Sequence, residues 1–204
     1  MSFQKKAMKQ HLFRMTLILF LIFPLPVFAG VPLETVEGHL DKVREVLRDP
    51  SLKAESAKKA KKDRLRAISE KMFDFPELSK RTLARNWSKF NPEQQKEFVD
   101  LYTSFLGDAY VNKIMAYADE KIVFSKEVVL TEKTVEVRSS VLRKNGDIPL
   151  YYRVILKDGV WRVYDIIIEG VSLINNYRSQ FREILSNKTP ESLLETLREK
   201  VGKA

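Results

Sequence analysis

The 204-residue chain contains no cysteine. Disulfide stapling, thiolate nucleophiles and cysteine-ligated metals are therefore excluded, and an apolar core must carry stability. Histidine is nearly as scarce: His11 and His39 are the only two. The HExxH, CxxC, P-loop and GxGxxG patterns are all missing, so most familiar catalytic and phosphate-cradling machinery is absent. No unbroken apolar run reaches the roughly 18–20 residues that a membrane-spanning helix needs. Nor is there a repeat, a low-complexity tract or a long linker to divide the chain.

What is present begins with a leader. Lys5, Lys6, Lys9 and Arg14 form a positive n-region and residues 15–23 an apolar stretch, before Pro24 and Pro26. Val27-Phe28-Ala29 resembles a small-x-small cleavage site, so residues 1–29 are predicted to be a secretory signal peptide. Residues 30–204 then form one domain, and loss of the four basic residues lowers the formal charge of +9 to about +5.

Residues 148–185 organise that domain. Asp158-Gly159 stands between two runs rich in β-branched and aromatic residues, the pattern of a two-residue type I′ hairpin. Such a turn sets Val154 opposite Val163, Tyr152 opposite Asp165 and Leu150 opposite Ile167. Asn145-Gly146 offers the same turn one strand earlier, placing Val141 opposite Leu150, Ser139 opposite Tyr152 and Val137 opposite Val154. Alternation then gathers Val135, Val137, Ser139, Val141, Leu150, Tyr152, Val154, Leu156, Trp161, Val163, Asp165 and Ile167 on one face. The other face is mostly polar, with Ile155, Ile166 and Ile168 as apolar exceptions.

Helical patterns flank this sheet. Val36, Leu40, Val43 and Leu47 recur at helical spacing, and a basic run follows at residues 53–66. That run reads first as a solvated helix face, and alternatively as a docking surface for acidic headgroups or an acidic partner. Phe73-Asp74-Phe75-Pro76 turns the chain into a helix through Leu78, Leu83 and Trp87. Asn91, Pro92 and Gln94 form a capping box for the next helix, whose apolar face is Phe98, Leu101, Tyr102, Phe105 and Leu106. Gly107 is predicted to break its axis before Tyr110, Ile114 and Tyr117, and a short strand is expected at residues 121–126. Ser172 caps a helix carrying Ile174, Tyr177, Phe181, Ile184 and Leu185, and a last helix follows Pro190. The expected fold is a single α+β domain: a twisted antiparallel sheet of about four strands packed against several helices, NTF2-like in general shape.

The motifs Phe73-Asp74-Phe75, Arg85-Asn86-Trp87, Pro92-Glu93-Gln94-Gln95 and the long segment from Tyr164 to Phe181 resemble the MlaC, or toluene-tolerance, family. The similarity runs over residues 32–201. It implies a periplasmic phospholipid carrier of Gram-negative bacteria, not an enzyme and without a cofactor. Its implied partners are an outer-membrane MlaA–porin complex and the MCE protein MlaD of an inner-membrane MlaFEDB-type ABC transporter, a system that maintains outer-membrane lipid asymmetry. It also implies a pocket between sheet and helices that encloses acyl chains.

Exposing two acyl chains of some 30 methylenes to water costs on the order of 20 kcal/mol. A carrier therefore needs a dry cavity of roughly 1,000 Å³. The expected lining is Val137, Ser139, Val141, Leu150, Tyr152, Val154, Val163, Asp165 and Ile167 from the sheet, with Val171, opposed by Trp87, Phe105, Tyr110, Ile114, Ile174 and Tyr177. Periodicity alone describes a filled core equally well. Asp165 is the anomaly, a carboxylate on an apolar face. It is satisfied by Tyr152, Ser139 or a helix N-terminus, or else it sits at a pocket mouth, or acts as a general base with Tyr152 as donor in an NTF2-like small-molecule-binding or isomerase site.

Overall fold

Period-two patterning and paired turn residues produce an antiparallel meander: β1 (Lys121–Thr131), β2 (Thr134–Leu142), β3 (Ile148–Lys157), β4 (Val160–Ile168) and β5 (Val171–Ser172), hydrogen-bonded in that order. Helices α1 (Pro32–Arg48), α2 (Lys58–Met72), α3 (Phe75–Leu83) and α4 (Pro92–Ala116) precede it. Helices α5 (Leu173–Asn187) and α6 (Pro190–Val201) follow it. This computed structural model describes residues 31–116 and 120–201. The predicted leader with its cleavage site, and Tyr117, lie outside the described residues. The α+β domain with an antiparallel sheet is as the sequence indicated.

The β3–β4 hairpin has the expected turn, with φ of 52° at Asp158 and 76° at Gly159. Its register begins as expected, with Lys157 opposite Val160 and Val154 opposite Val163. It then slips by one, because Tyr164 is an extra residue and Arg153 pairs with Asp165. The expected pairings of Tyr152 with Asp165 and Leu150 with Ile167 are therefore wrong: Tyr152 meets Ile166 and Leu150 meets Ile168. This bulge turns Ile166 and Ile168 onto the apolar face and takes Asp165 and Ile167 off it. Of the three apolar exceptions only Ile155 stays on the far face, where it packs against the helices, and Ile167 joins it there.

The β2–β3 register also differs, by two residues. Val137 faces Tyr152, Ser139 faces Leu150 and Val141 faces Ile148. The reason is the turn: the Gly146 amide bonds back to the Arg143 carbonyl, so Lys144-Asn145 form its centre and Gly146 follows at φ 116°. A shift of two preserves the face of every residue. Strand β1 runs well past the expected end at residue 126, with a bulge at Ser125.

Asn91 and Gln94 form the expected reciprocal cap, the Gln94 amide donating to Asn91 Oδ1 at 2.8 Å and the Asn91 amide to Gln94 Oε1 at 3.2 Å. The helix they start does not break at Gly107 but runs unbroken for 25 residues. A mid-helix glycine costs about 1 kcal/mol, and here the second half has its own packing through Val111 and Met115.

Buried apolar residues of the described chain gather in three clusters. One joins α3, α4, α5 and α6 through Phe98, Tyr102, Phe181, Leu193 and their neighbours, with Tyr164 from the sheet. A second lies between α1 and the apolar sheet face. The third holds the C-terminal half of α1 to α2 and the end of α4. No described helix is long and apolar enough to cross a membrane.

Candidate functional site

Cross-strand pairing arranges the apolar sheet face in rows. Val135, Val154 and Val163 form one and Val137, Tyr152 and Ile166 the next. Both lie by α1, and Val36 of α1 and Met72 of α2 pack with them until almost all are buried. The start of α1 lacks a side-chain cap of its own. Glu127 of β1 fills that role, its carboxylate accepting the Leu33 amide proton at 2.6 Å.

Further along the same face the cover thins. Phe124, Ser139, Leu150, Ile168 and Val171 form a third row, and Ile122, Val141 and Ile148 a fourth. Phe124, Leu150, Ile122, Val141 and Ile148 are half-buried, while Ile168 is 40% and Val171 61% exposed. Ser139 does not leave a bare hydroxyl here, since it donates to the Leu150 carbonyl. The result is a continuous apolar surface, closed at one end and open at the other.

The opposite face carries charge. Arg153 lies between two buried carboxylates, donating to Glu136 at 3.1 Å and standing 3.6 Å from Asp165; Arg138 holds Glu136 from the other side at 2.9 Å. Asp165, 2% exposed, accepts the Ser172 hydroxyl proton at 2.7 Å and the Ile174 amide proton at 3.1 Å. Ser172 in turn accepts the Asn175 amide proton at 3.1 Å. Together they cap α5 twice over. Burial nevertheless pushes the Asp165 carboxyl above its ordinary range, with the Ser172 and Ile174 hydrogen bonds and Arg153 pulling the other way.

Asp165 is thus explained by a helix N-terminus, one of the alternatives open from sequence. It is no partner of Tyr152, which lies on the other face, so the acid–donor pair required by the isomerase reading is not assembled. A tight turn at Glu169 and Gly170, with φ of 50° and 81°, carries β4 back through β5 so that Ser172 reaches Asp165. The bulge, turn and double cap give the Tyr164–Phe181 motif its physical content.

The expected lining residues fall into two groups rather than one. Val137, Val141, Leu150, Tyr152, Val154 and Val163 share the sheet face with Ser139 and Val171. Trp87, Phe105, Tyr110, Ile174 and Tyr177 belong to the helical cluster. There Phe105 meets Tyr177 edge-on at 5.6 Å and Tyr177 meets Tyr102 at 5.5 Å. Ile114 is exposed near the end of α4. Asp165 and Ile167 point away from the apolar face for the reason given above.

Residues not anticipated on that face are Ile122, Phe124, Ile148, Ile166 and Ile168. Alternation in β1 signals Ile122 and Phe124; the two isoleucines of β4 betray themselves as apolar exceptions in a polar row. Leu40 of α1 and Phe73 also border it, and Phe73 touches both the sheet and the helical cluster. Two depressions lined by described residues lie elsewhere. One, of about 600 Å³, is bounded by Glu120, Leu142, Arg143, Lys144 and Asn145, and one of about 480 Å³ lies on the outer side of α5. Neither is lined by an expected residue.

Comparison with known proteins places this geometry in context. Residues 37–199 match the family described as MlaC protein. The chain is 27% identical over 172 residues to the toluene tolerance protein ttg2D of Pseudomonas putida, covering 83% of this chain and 80% of that one. It is 24% identical over 119 residues to the intermembrane phospholipid transport system binding protein MlaC of Haemophilus influenzae, covering 56% of each. A solved structure of the phospholipid-binding protein from Ralstonia solanacearum, in complex with a phospholipid, aligns with a TM-score of 0.76 at 26% identity, over 85% of this chain and 98% of that one.

Proposed function

The chain belongs to the MlaC family, and from that premise we propose that it is a periplasmic phospholipid carrier. The observation that carries this reading is the fold shared over nearly the whole of a protein whose structure holds a phospholipid. The leader, residues 1–29, directs export and is removed after Ala29. The carrier takes lipid between an outer-membrane MlaA complex and the MlaD component of an inner-membrane MlaFEDB-type transporter. Its work is enclosure and release, and no residue is assigned a catalytic role.

The acyl chains lie on the open half of the apolar sheet face, against Phe124, Val141 and Leu150 and reaching the half-buried Ile166 at the edge of the covered half, with α1 and Phe73 as the wall. Half-buried apolar groups suit this: they are fixed by their strands, yet a methylene chain laid on them removes further apolar area from water at about 25 cal/mol per Å². The fully packed residues Val137, Val154 and Val163 form the floor beneath α1.

Native mass spectrometry of the protein secreted to the periplasm, followed by organic extraction, tests the proposal. Mass increments of a diacyl phospholipid that vanish on extraction are expected. A ligand-free mass, under conditions in which the Ralstonia protein keeps its phospholipid, would sink it.

A further inference from the structure

We propose that residues 53–66 form a docking surface for an anionic lipid bilayer. Seven lysines and arginines stand here against two acids, Glu55 and Asp63, while the chain outside this segment and the leader carries equal numbers of basic and acidic residues. The segment is held as a plate rather than a loose tail. Lys61 donates to the Leu47 carbonyl at the end of α1 at 3.1 Å, Arg64 pairs with Asp49 at 3.0 Å and Arg66 with Asp108 of α4 at 3.4 Å. Lys53, Lys58 and Lys59 point outward, with Lys59 90% exposed.

Folding accounts for Lys61, Arg64 and Arg66 but not for Lys53, Lys58, Lys59 and Lys62. Helix α2 opens with Lys58, Lys59, Lys61 and Lys62, has no acid in its first turn and no side-chain cap. Cations at a helix N-terminus oppose the macrodipole and cost stability. The solvent-exposed ion pairs Lys58–Glu55 and Lys59–Asp63 contribute little in return.

The character of the surface selects a bilayer over an acidic protein. Specific protein interfaces are built around apolar or aromatic anchors and are depleted in lysine. This segment exposes no large apolar side chain, its Leu65 being buried against α1. A fluid anionic surface needs only charge, at a strength that grows with each lysine near it. The inference rests on the carrier reading in one respect: a protein that loads and unloads phospholipid has reason to reach the bilayer.

The test is sedimentation with vesicles of phosphatidylglycerol mixed with phosphatidylcholine, against vesicles of phosphatidylcholine alone. The triple variant Lys53→Glu, Lys58→Glu, Lys59→Glu is compared with Lys96→Glu, Lys133→Glu, Lys188→Glu, which changes net charge equally at exposed sites elsewhere. Acids at the start of α2 suit the macrodipole and offset the loss of the exposed Lys58–Glu55 and Lys59–Asp63 pairs, and circular dichroism of the first variant checks that it is folded. Wild type is expected to bind the anionic vesicles alone and to be released by salt. The first variant is expected to bind about 100-fold more weakly, and the second close to wild type. Equal loss in both variants, or no preference of the wild type for anionic vesicles, overturns the proposal, as does binding only to an acidic protein. Native mass spectra of the same samples separate the two ideas. A protein that never holds phospholipid but binds anionic vesicles through Lys53, Lys58 and Lys59 refutes the carrier and keeps the docking surface.

Discussion

The helical cluster and the sheet face under α1 are both apolar, yet they are finished differently. In the cluster, Phe98, Tyr102, Tyr177 and Phe181 interlock at centroid distances of 5.3 to 5.9 Å, largely edge-to-face or tilted, and Leu78, Leu193 and Leu194 are sealed from solvent. Along the sheet, rows of the same kind of residue pass from sealed beneath α1 to half-covered at Leu150 and Val141 and bare at Val171. Close-packed side chains leave no room for another molecule, whereas strands that stay fixed while their side chains are only half-covered do. The first region is the packed frame; the second is the surface to which we assign the ligand.

Truncation offers the widest test of that contrast. Phe98→Ala is expected to destabilise the protein by about 4 kcal/mol, a large buried ring leaving a cavity, whereas Leu150→Ala costs about 1 kcal/mol because half of its area is already wet. Urea denaturation read by circular dichroism gives both values, and equal losses would erase the distinction. Next in size is the charged face that fixes β4 to α5. Arg153→Met leaves Asp165 without its ion-pair partner and Glu136 with Arg138 alone, at about 3 kcal/mol. Ser172→Ala removes one of the two caps of α5 and is expected to cost about 1–2 kcal/mol by the same assay.

Leu150→Trp sharpens the comparison from the other side. Added bulk on a half-covered face is expected to change stability by less than about 1 kcal/mol while displacing phospholipid from the native mass spectrum; unaltered lipid content in the folded variant would remove Leu150 from the site. The smallest effect concerns Asp165. Burial raises its folded carboxyl above the unfolded value, so the folded state holds the proton longer. Stability from this group is therefore fully present at acid pH below the unfolded value and is lost as pH rises through the folded one. Asp165→Asn should flatten that part of the stability–pH profile, and an unchanged slope would show that Asp165 does not contribute to it.

Much of this contrast is legible in the sequence, and the failures have local causes. Asp158-Gly159 reports its turn faithfully because both central residues need positive φ and the dipeptide supplies them. Asn145-Gly146 misleads because a glycine that follows the centre of a turn set one residue earlier has the same spelling as one within the centre. The Tyr164 bulge is invisible to alternation, although its consequences are not: a carboxylate on the oily face and isoleucines on the wet one all mark the same slipped register. Gly107 looks like a break because propensity is local, while Val111 and Met115 continue the helix through contacts made far away in sequence. What periodicity could not separate was the sealed face from the half-open one, since Val154 and Leu150 occupy the same phase of one strand. Only the path of α1 across the sheet distinguishes them.

Photo-crosslinking tests the division most directly. The protein is loaded with a phospholipid bearing a diazirine along one acyl chain, irradiated and digested for peptide mapping. Adducts are expected on the strands carrying Phe124, Leu150 and Ile166 and on α1 near Leu40. Adducts confined to the helical peptides around Phe98, Tyr102 and Phe181 would contradict the assignment of frame and site.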